Sequence, residues 1–199
     1  RNKPTCHIVF GEAIAILAGD ALQAMAFEQL TKFDKVLPKT SLQLIACLAK
    51  AAGADGMVKG QIIDISSVNK TLTLEDLELM HHKKTGAMIH ASIMMSALST
   101  DLSSPSQLTA LNAYGLSIGL AFQVQDDILD VAGDTKEIGK TAGADEALNK
   151  ATYVQLLGLD GAREKATQLY TSAIDALSVF DENAQRLREM ADYIISRKH

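Results

Sequence analysis

Leu111-Asn-Ala-Tyr-Gly-Leu-Ser-Ile-Gly-Leu-Ala-Phe-Gln-Val-Gln-Asp-Asp-Ile-Leu-Asp-Val131 is a long apolar run whose only charges are three carboxylates, Asp126, Asp127 and Asp130. Its apolar residues recur at helical spacing, and Ser104-Pro105 just upstream is a good N-cap and first-turn pair. On that helix Gln123, Asp126, Asp127 and Asp130 stand at i, i+3, i+4 and i+7, so all four share one face. An ordinary solvated face would mix in Lys or Arg. Three carboxylates among apolar neighbours repel one another and resist desolvation, so something cationic must compensate them. Hard oxygen ligands of this kind suit Mg²⁺, which takes one or two carboxylates and fills its octahedron with water and phosphate oxygens. An EF-hand does not fit, because a loop starting at Asp126 would put Ile128 at its third ligand position.

The same periodicity extends to both sides of this stretch. It predicts helices at about 11–30, 40–63, 74–99, 105–131, 151–158, 161–179 and 182–197, with no sustained strand-like alternation. The fold class is all-α. Pro38 and Thr40 mark the start of the second helix, and Thr73 with Asp76 forms a capping pattern before the third. Residues 133–150 interrupt the pattern with Gly133, Gly139, Gly143 and several lysines and acids, which reads as a long functional loop. Neither a repeat nor a linker is present, so residues 1–199 are read as one domain.

Composition narrows the function. A formal charge of −5 leaves no basic footprint for nucleic acid or an acidic membrane, so an anionic substrate must be met by local cations. The longest apolar stretch, Ala13 to Phe27, is broken by Asp20 and falls short of a membrane span. Cys6 and Cys47 form no metal motif or disulfide framework, which points to a reducing cytoplasm. On the third helix Lys84 is in register with Leu77, Met80, Met88 and Ala91, so it is expected either to point inward toward an anion or to snorkel to solvent at a helix kink near Gly86. His81, His82 and His90 lack metal-site spacing and read as structural residues.

Phe122-Gln-Val-Gln-Asp-Asp-Ile-Leu-Asp130, with Gly133-Asp134, Gly139-Lys140 and Asp145, resembles the second aspartate-rich region of trans-prenyl diphosphate synthases. Pro4-Thr5-Cys6-His7, Phe10-Gly11-Glu12, Leu17-Ala18-Gly19-Asp20-Ala21-Leu22, Gly60-Gln61-Ile-Ile-Asp64 and Lys84-Thr85-Gly86-Ala87 follow the family's order. The bacterial farnesyl and geranyl enzymes are the nearest in kind. The resemblance implies a helical bundle around a central cavity and condensation of an allylic diphosphate with isopentenyl diphosphate, giving farnesyl diphosphate. It further implies a cytoplasmic homodimer and small-molecule isoprenoid diphosphate substrates. The implied metal is Mg²⁺, with Mn²⁺ as a substitute, held by Asp126, Asp127 and Asp130. Lys84, Lys140 and Lys150 would meet diphosphate charge, Lys84, Thr85, Gln123 and Asp126 would serve catalysis, and Arg1 would help hold isopentenyl diphosphate. Asn2 departs from the family's usual glycine.

The family's first aspartate-rich motif would lie just upstream of Arg1, so the resemblance implies a longer protein of which residues 1–199 are the C-terminal part. A non-catalytic partner subunit of a heteromeric prenyl synthase is the alternative from another class. A terpene cyclase is the second enzymatic alternative, although its downstream metal motif usually pairs Asn or Asp with Ser or Thr and Glu.

Overall fold

The computed structural model describes residues 3–100, 104–132 and 150–197, and every regular element among them is helical. The helices are α1 (Cys6–Phe10), α2 (Glu12–Thr31), α3 (Pro38–Ala52), α4 (Met57–Ser66), α5 (Leu74–His81), α6 (Ala87–Leu98), α7 (Pro105–Ala132), α8 (Tyr153–Ala176) and α9 (Gln185–Ser196). A π-helical turn, His82–Gly86, joins α5 to α6, and short 3₁₀ turns lie between α8 and α9. Arg1, Lys140 and nearly all of the expected loop lie outside the described residues.

Local chemistry explains the element ends. The Ser104 hydroxyl accepts from the Gln107 amide at 3.3 Å while the Ser104 amide donates to the Gln107 side-chain carbonyl at 2.8 Å, a reciprocal cap that starts α7. Thr73 caps α5 by accepting from the Asp76 amide at 3.1 Å. The helix expected at 40–63 is two, because residues 53–56 turn the chain between α3 and α4. The expected break between 158 and 161 narrows to Gly158, whose φ of 72° interrupts an otherwise continuous α8.

Helix α7 is the axis of the bundle. One side packs Tyr114, Ile118 and Ala121 against Ala173, Leu177, Ala191 and Ile194 of α8, its 3₁₀ extension and α9. The other side packs Val124 and Ile128 against Leu77 and Met80 of α5 and Tyr153, Ala162 and Ala166 of α8. Burial of a side chain such as Ile118 contributes about 1.5–3 kcal/mol. Two polar ties fix α9 on this core. The Tyr114 hydroxyl donates to the Leu187 carbonyl at 2.8 Å, and Arg188 donates to the carbonyls of Leu177, Phe180 and Asp181. Helix α2 buries no side chain against the described residues and carries exposed Ile14, Ile16, Leu17, Leu22 and Met25 around its circumference.

The π turn is gripped from both sides by helices that approach without side chains. A Cβ on Gly60 of α4 would lie 2.1 Å from the Lys84 amide nitrogen, and one on Gly119 of α7 would lie 3.0 Å from the Gly86 Cα. The contacts at Gly60 are backbone to backbone, so no rotamer change relieves them. Gly60→Ala should therefore destabilise the protein by about 1–3 kcal/mol, as overpacking does. Urea unfolding measures this, and an unchanged midpoint would show that α4 and the π turn are not pressed together.

Candidate active site

Residues 82–86 wind one residue wider than an α-helix, a distortion often found at functional positions. The periodicity places this turn inside one helix over 74–99, with a kink near Gly86 as the alternative, and does not anticipate its π winding. Its two neighbours, Lys84 and Thr85, reach different helices. The Lys84 ammonium pairs with Asp64 of α4 at 2.6 Å, so the anion that this inward lysine meets within the chain is a carboxylate four residues beyond Gly60. The Thr85 hydroxyl donates to Gln123 Oε1 of α7 at 3.2 Å. Gln123 Nε2 donates to Asp127 Oδ1 at 3.2 Å, and the Tyr153 amide donates to Asp127 Oδ2 at 2.9 Å. Because an ionised carboxylate can only accept, Asp127 orients the Gln123 carboxamide and leaves its oxygen facing Thr85.

The three aspartates of the motif occupy three environments. Asp127 is 2% exposed, and both of its oxygens accept hydrogen bonds. Asp126 is 37% exposed at its side chain and is paired with the Arg197 guanidinium. Asp130 is half-buried one turn further along α7. Among the described residues no three His, Cys, Asp or Glu side chains converge as a metal site. The donor set nonetheless suits Mg²⁺, which needs only one or two carboxylates beside water and phosphate oxygens; Asp126 and Asp130, four residues apart, have that chemistry. The described residues also leave an apolar groove of about 560 Å³ between α6, α7 and α9, bordered by Ile89, Leu111, Phe122 and Tyr193. Neither Asp126 nor Lys84 lines it.

Beneath the site, His81 stacks on Tyr153 with ring centroids 5.6 Å apart. Burial is the main force that pushes His81 down to about 4, and the nearby charges of Lys84 and Lys150 push the same way, outweighing the opposite pull of Asp64. Lys150 is half-buried at the entry to α8. Both His81 ring nitrogens and the Tyr153 hydroxyl are buried without a hydrogen-bond partner. Burial likewise pushes the Tyr153 phenol up, with Glu78 and Asp127 adding to it.

Sequence reasoning missed Asp64, His81 and Arg197 as parts of this region. The spacing of Gly60 and Asp64 places them on one helical face, which was the available signal for Asp64. His81 lies three residues before Lys84, again one face, but nothing in its type distinguishes it from His82. Arg197 stands at the far end of the chain from α7, and no local pattern links them.

The depressed His81 has a consequence for stability. In the unfolded chain it titrates near 6.5, so as pH falls the unfolded state takes up the proton first. The neutral folded form is favoured above about pH 6.5, and that advantage is lost progressively toward about pH 4. At about pH 5 the loss is about 2 kcal/mol. Between about pH 7.5 and 5, urea unfolding should show the natural protein losing about that much more stability than His81→Phe; equal losses would contradict a buried neutral imidazole.

The sequence profile of the polyprenyl synthetase family matches residues 1–193. The chain is 48% identical over 199 residues to the farnesyl diphosphate synthase of Haemophilus influenzae, covering all of this chain and 67% of that protein. It is 48% identical over 202 residues to the farnesyl diphosphate synthase of Escherichia coli, covering 99% of this chain and 68% of that one. Among solved structures, a geranyltransferase from Helicobacter pylori complexed with magnesium and isoprenyl diphosphate matches with a TM-score of 0.84 and 35% identity, over 98% of this chain and 63% of that one. The chain thus spans about two thirds of the length of these relatives. With a matching profile along nearly its whole length and relatives this similar, the chain belongs to the polyprenyl synthetase family.

Proposed function

We propose that this protein is a trans-prenyltransferase that condenses an allylic diphosphate with isopentenyl diphosphate to form farnesyl diphosphate. The observation that carries the reading is the connected polar line Thr85–Gln123–Asp127, set on otherwise apolar helices beside Lys84 and Asp126. Similarity to enzymes named farnesyl diphosphate synthase supports the product.

In this reading the allylic carbon–oxygen bond breaks and diphosphate leaves with the electron pair. The C3–C4 double bond of isopentenyl diphosphate attacks the cation, and a proton is lost from the adjacent carbon. Asp126 and Asp130 would hold Mg²⁺, which would supply positive charge to the departing diphosphate. Asp127 acts one step back, holding Gln123 and the start of α8 in place. The Gln123 carbonyl and the Thr85 hydroxyl present partial negative charge to the allylic cation, and their mutual hydrogen bond keeps them from reorienting during the reaction. Lys84 and Lys150 meet diphosphate charge, with Lys84 exchanging or sharing its Asp64 partner; Lys140 and Arg1 belong to the same task.

A cytoplasmic homodimer belongs to this reading as well. Helix α2 carries apolar residues around its circumference, as buried core helices do, yet the described residues bury none of its side chains fully. A second copy seated along α2 accounts for part of that surface. No described helix is long and apolar enough to cross a membrane.

The test separates the carboxylates. In the intact enzyme, Asp126→Ala should lower kcat by several orders of magnitude because it removes a metal ligand, with the fold retained by the Phe122 ring face and carbonyl that still receive Arg197. Asp127→Asn should keep the metal requirement but lower turnover by about ten- to a hundredfold, as expected when a supporting partner is lost. Steady-state assays with isopentenyl and geranyl diphosphates over a Mg²⁺ series decide it, and undiminished turnover by Asp126→Ala at saturating Mg²⁺ would overturn the reading.

A further inference from the structure

We infer that Arg197 is a positioning residue for Asp126, holding that carboxylate until a divalent cation takes its place; the inference rests on the reading of Asp126 as a metal ligand. The residue lies just past the end of α9, and α7 receives it through several independent contacts. Its guanidinium donates to Asp126 Oδ1 and, at 3.1 Å, to the Phe122 carbonyl. The guanidinium carbon lies 4.1 Å from the centre of the Phe122 ring, within cation–π reach. The Arg197 carbonyl accepts from Gln125 Nε2 at 3.4 Å. Phe122, Gln125 and Asp126 are thus the motif residues that form a seat for the residue after α9, while Gln123 of the same motif reaches the π turn and Asp127 supports it.

The burial is unequal. The Arg197 side chain is 10% exposed against 37% for Asp126, and its Nε is buried without a partner. A guanidinium cannot shed its charge, so this burial is sustained by the carboxylate, the ring face and the carbonyls together. A divalent cation needs the same Asp126 oxygen. Two cations that compete for one carboxylate weaken each other by the same factor, whichever binds first. Arg197 therefore keeps Asp126 aimed and neutralised while the metal is absent, and it lowers the affinity of the bare site for metal. A residue that merely docked α9 would influence stability and leave metal affinity unchanged.

Mn²⁺ alone is the probe, its free concentration read by electron paramagnetic resonance in titrations of the intact protein. Arg197→Met should tighten Mn²⁺ binding about tenfold, the scale of one charge-assisted contact removed from competition. Arg197→Lys should restore most of the natural, weaker affinity. Gln125→Leu loosens the seat without touching Asp126 or the charge of Arg197, and should tighten binding about two- to threefold. It also keeps the test intact should Arg197→Met impair folding, which circular dichroism will reveal. In Asp126→Asn the Arg197→Met change should have no effect. Mn²⁺ affinity weakened by Asp126→Asn yet equal in Arg197→Met, Gln125→Leu and the natural protein would overturn the inference alone. Binding indifferent to Asp126→Asn would overturn the metal reading and this inference with it.

Discussion

Everything in the site follows from how closely α4 and α7 approach the turn between α5 and α6. At Gly60 and Gly119 a helix meets the His82–Gly86 backbone with no side chain between, and a Cβ at Gly60 would overlap the Lys84 amide. The turn is π-wound, and its successive residues Lys84 and Thr85 diverge toward Asp64 and Gln123. Had either helix stood off by the width of a methyl group, the 2.6 Å ion pair and the 3.2 Å hydrogen bond could not both form from one rigid turn. Backbone packing at two glycines thus becomes the placement of two polar side chains.

The second organising constraint is electrostatic. Adjacent carboxylates on one helix repel, and the bundle resolves this by giving each a separate environment rather than a shared one. Asp127 turns into the core, where an amide N–H and a carboxamide satisfy it. Charge-assisted bonds of that kind hold a carboxylate in place while tying α7 to the start of α8. Asp126 turns outward and meets a guanidinium. A stripe that looks uniform along the helix axis is in this way divided between a structural anchor and a group free to exchange partners.

Much of this was legible in the sequence because it is local. The period of α7, the Thr73 cap and the Ser104 cap each depend on residues within one helical turn, and they appear where the pattern put them. Gln123 and Asp126 stood out because two polar types at helical spacing have no place in an apolar run. What was not legible depends on contacts between distant segments. The π turn lies where α4 and α7 close on the chain, and residues 82–86 themselves show no more than a kink near Gly86 within one helix. The helix expected over 40–63 ignored the turn at residues 53–56, where a glycine at each end outweighed apolar periodicity. The different fates of Asp126 and Asp127 could not be separated by spacing, since a 100° step on a helix says little about which side a neighbouring helix will cover. Arg197 pairs with a residue 71 positions away, a separation that no periodicity encodes.

The central claim is that Thr85, Gln123 and Asp127 act as one unit because the π turn and α7 are pressed together. A double-mutant cycle on kcat with Thr85→Val and Gln123→Met in the intact enzyme measures that coupling directly. On the proposed reading, residues joined by this hydrogen bond should show an interaction energy of about 1 kcal/mol or more, the second substitution costing much less once the first is made. Effects that add to within about 0.3–0.5 kcal/mol would mean that the two residues act independently, and would contradict the account.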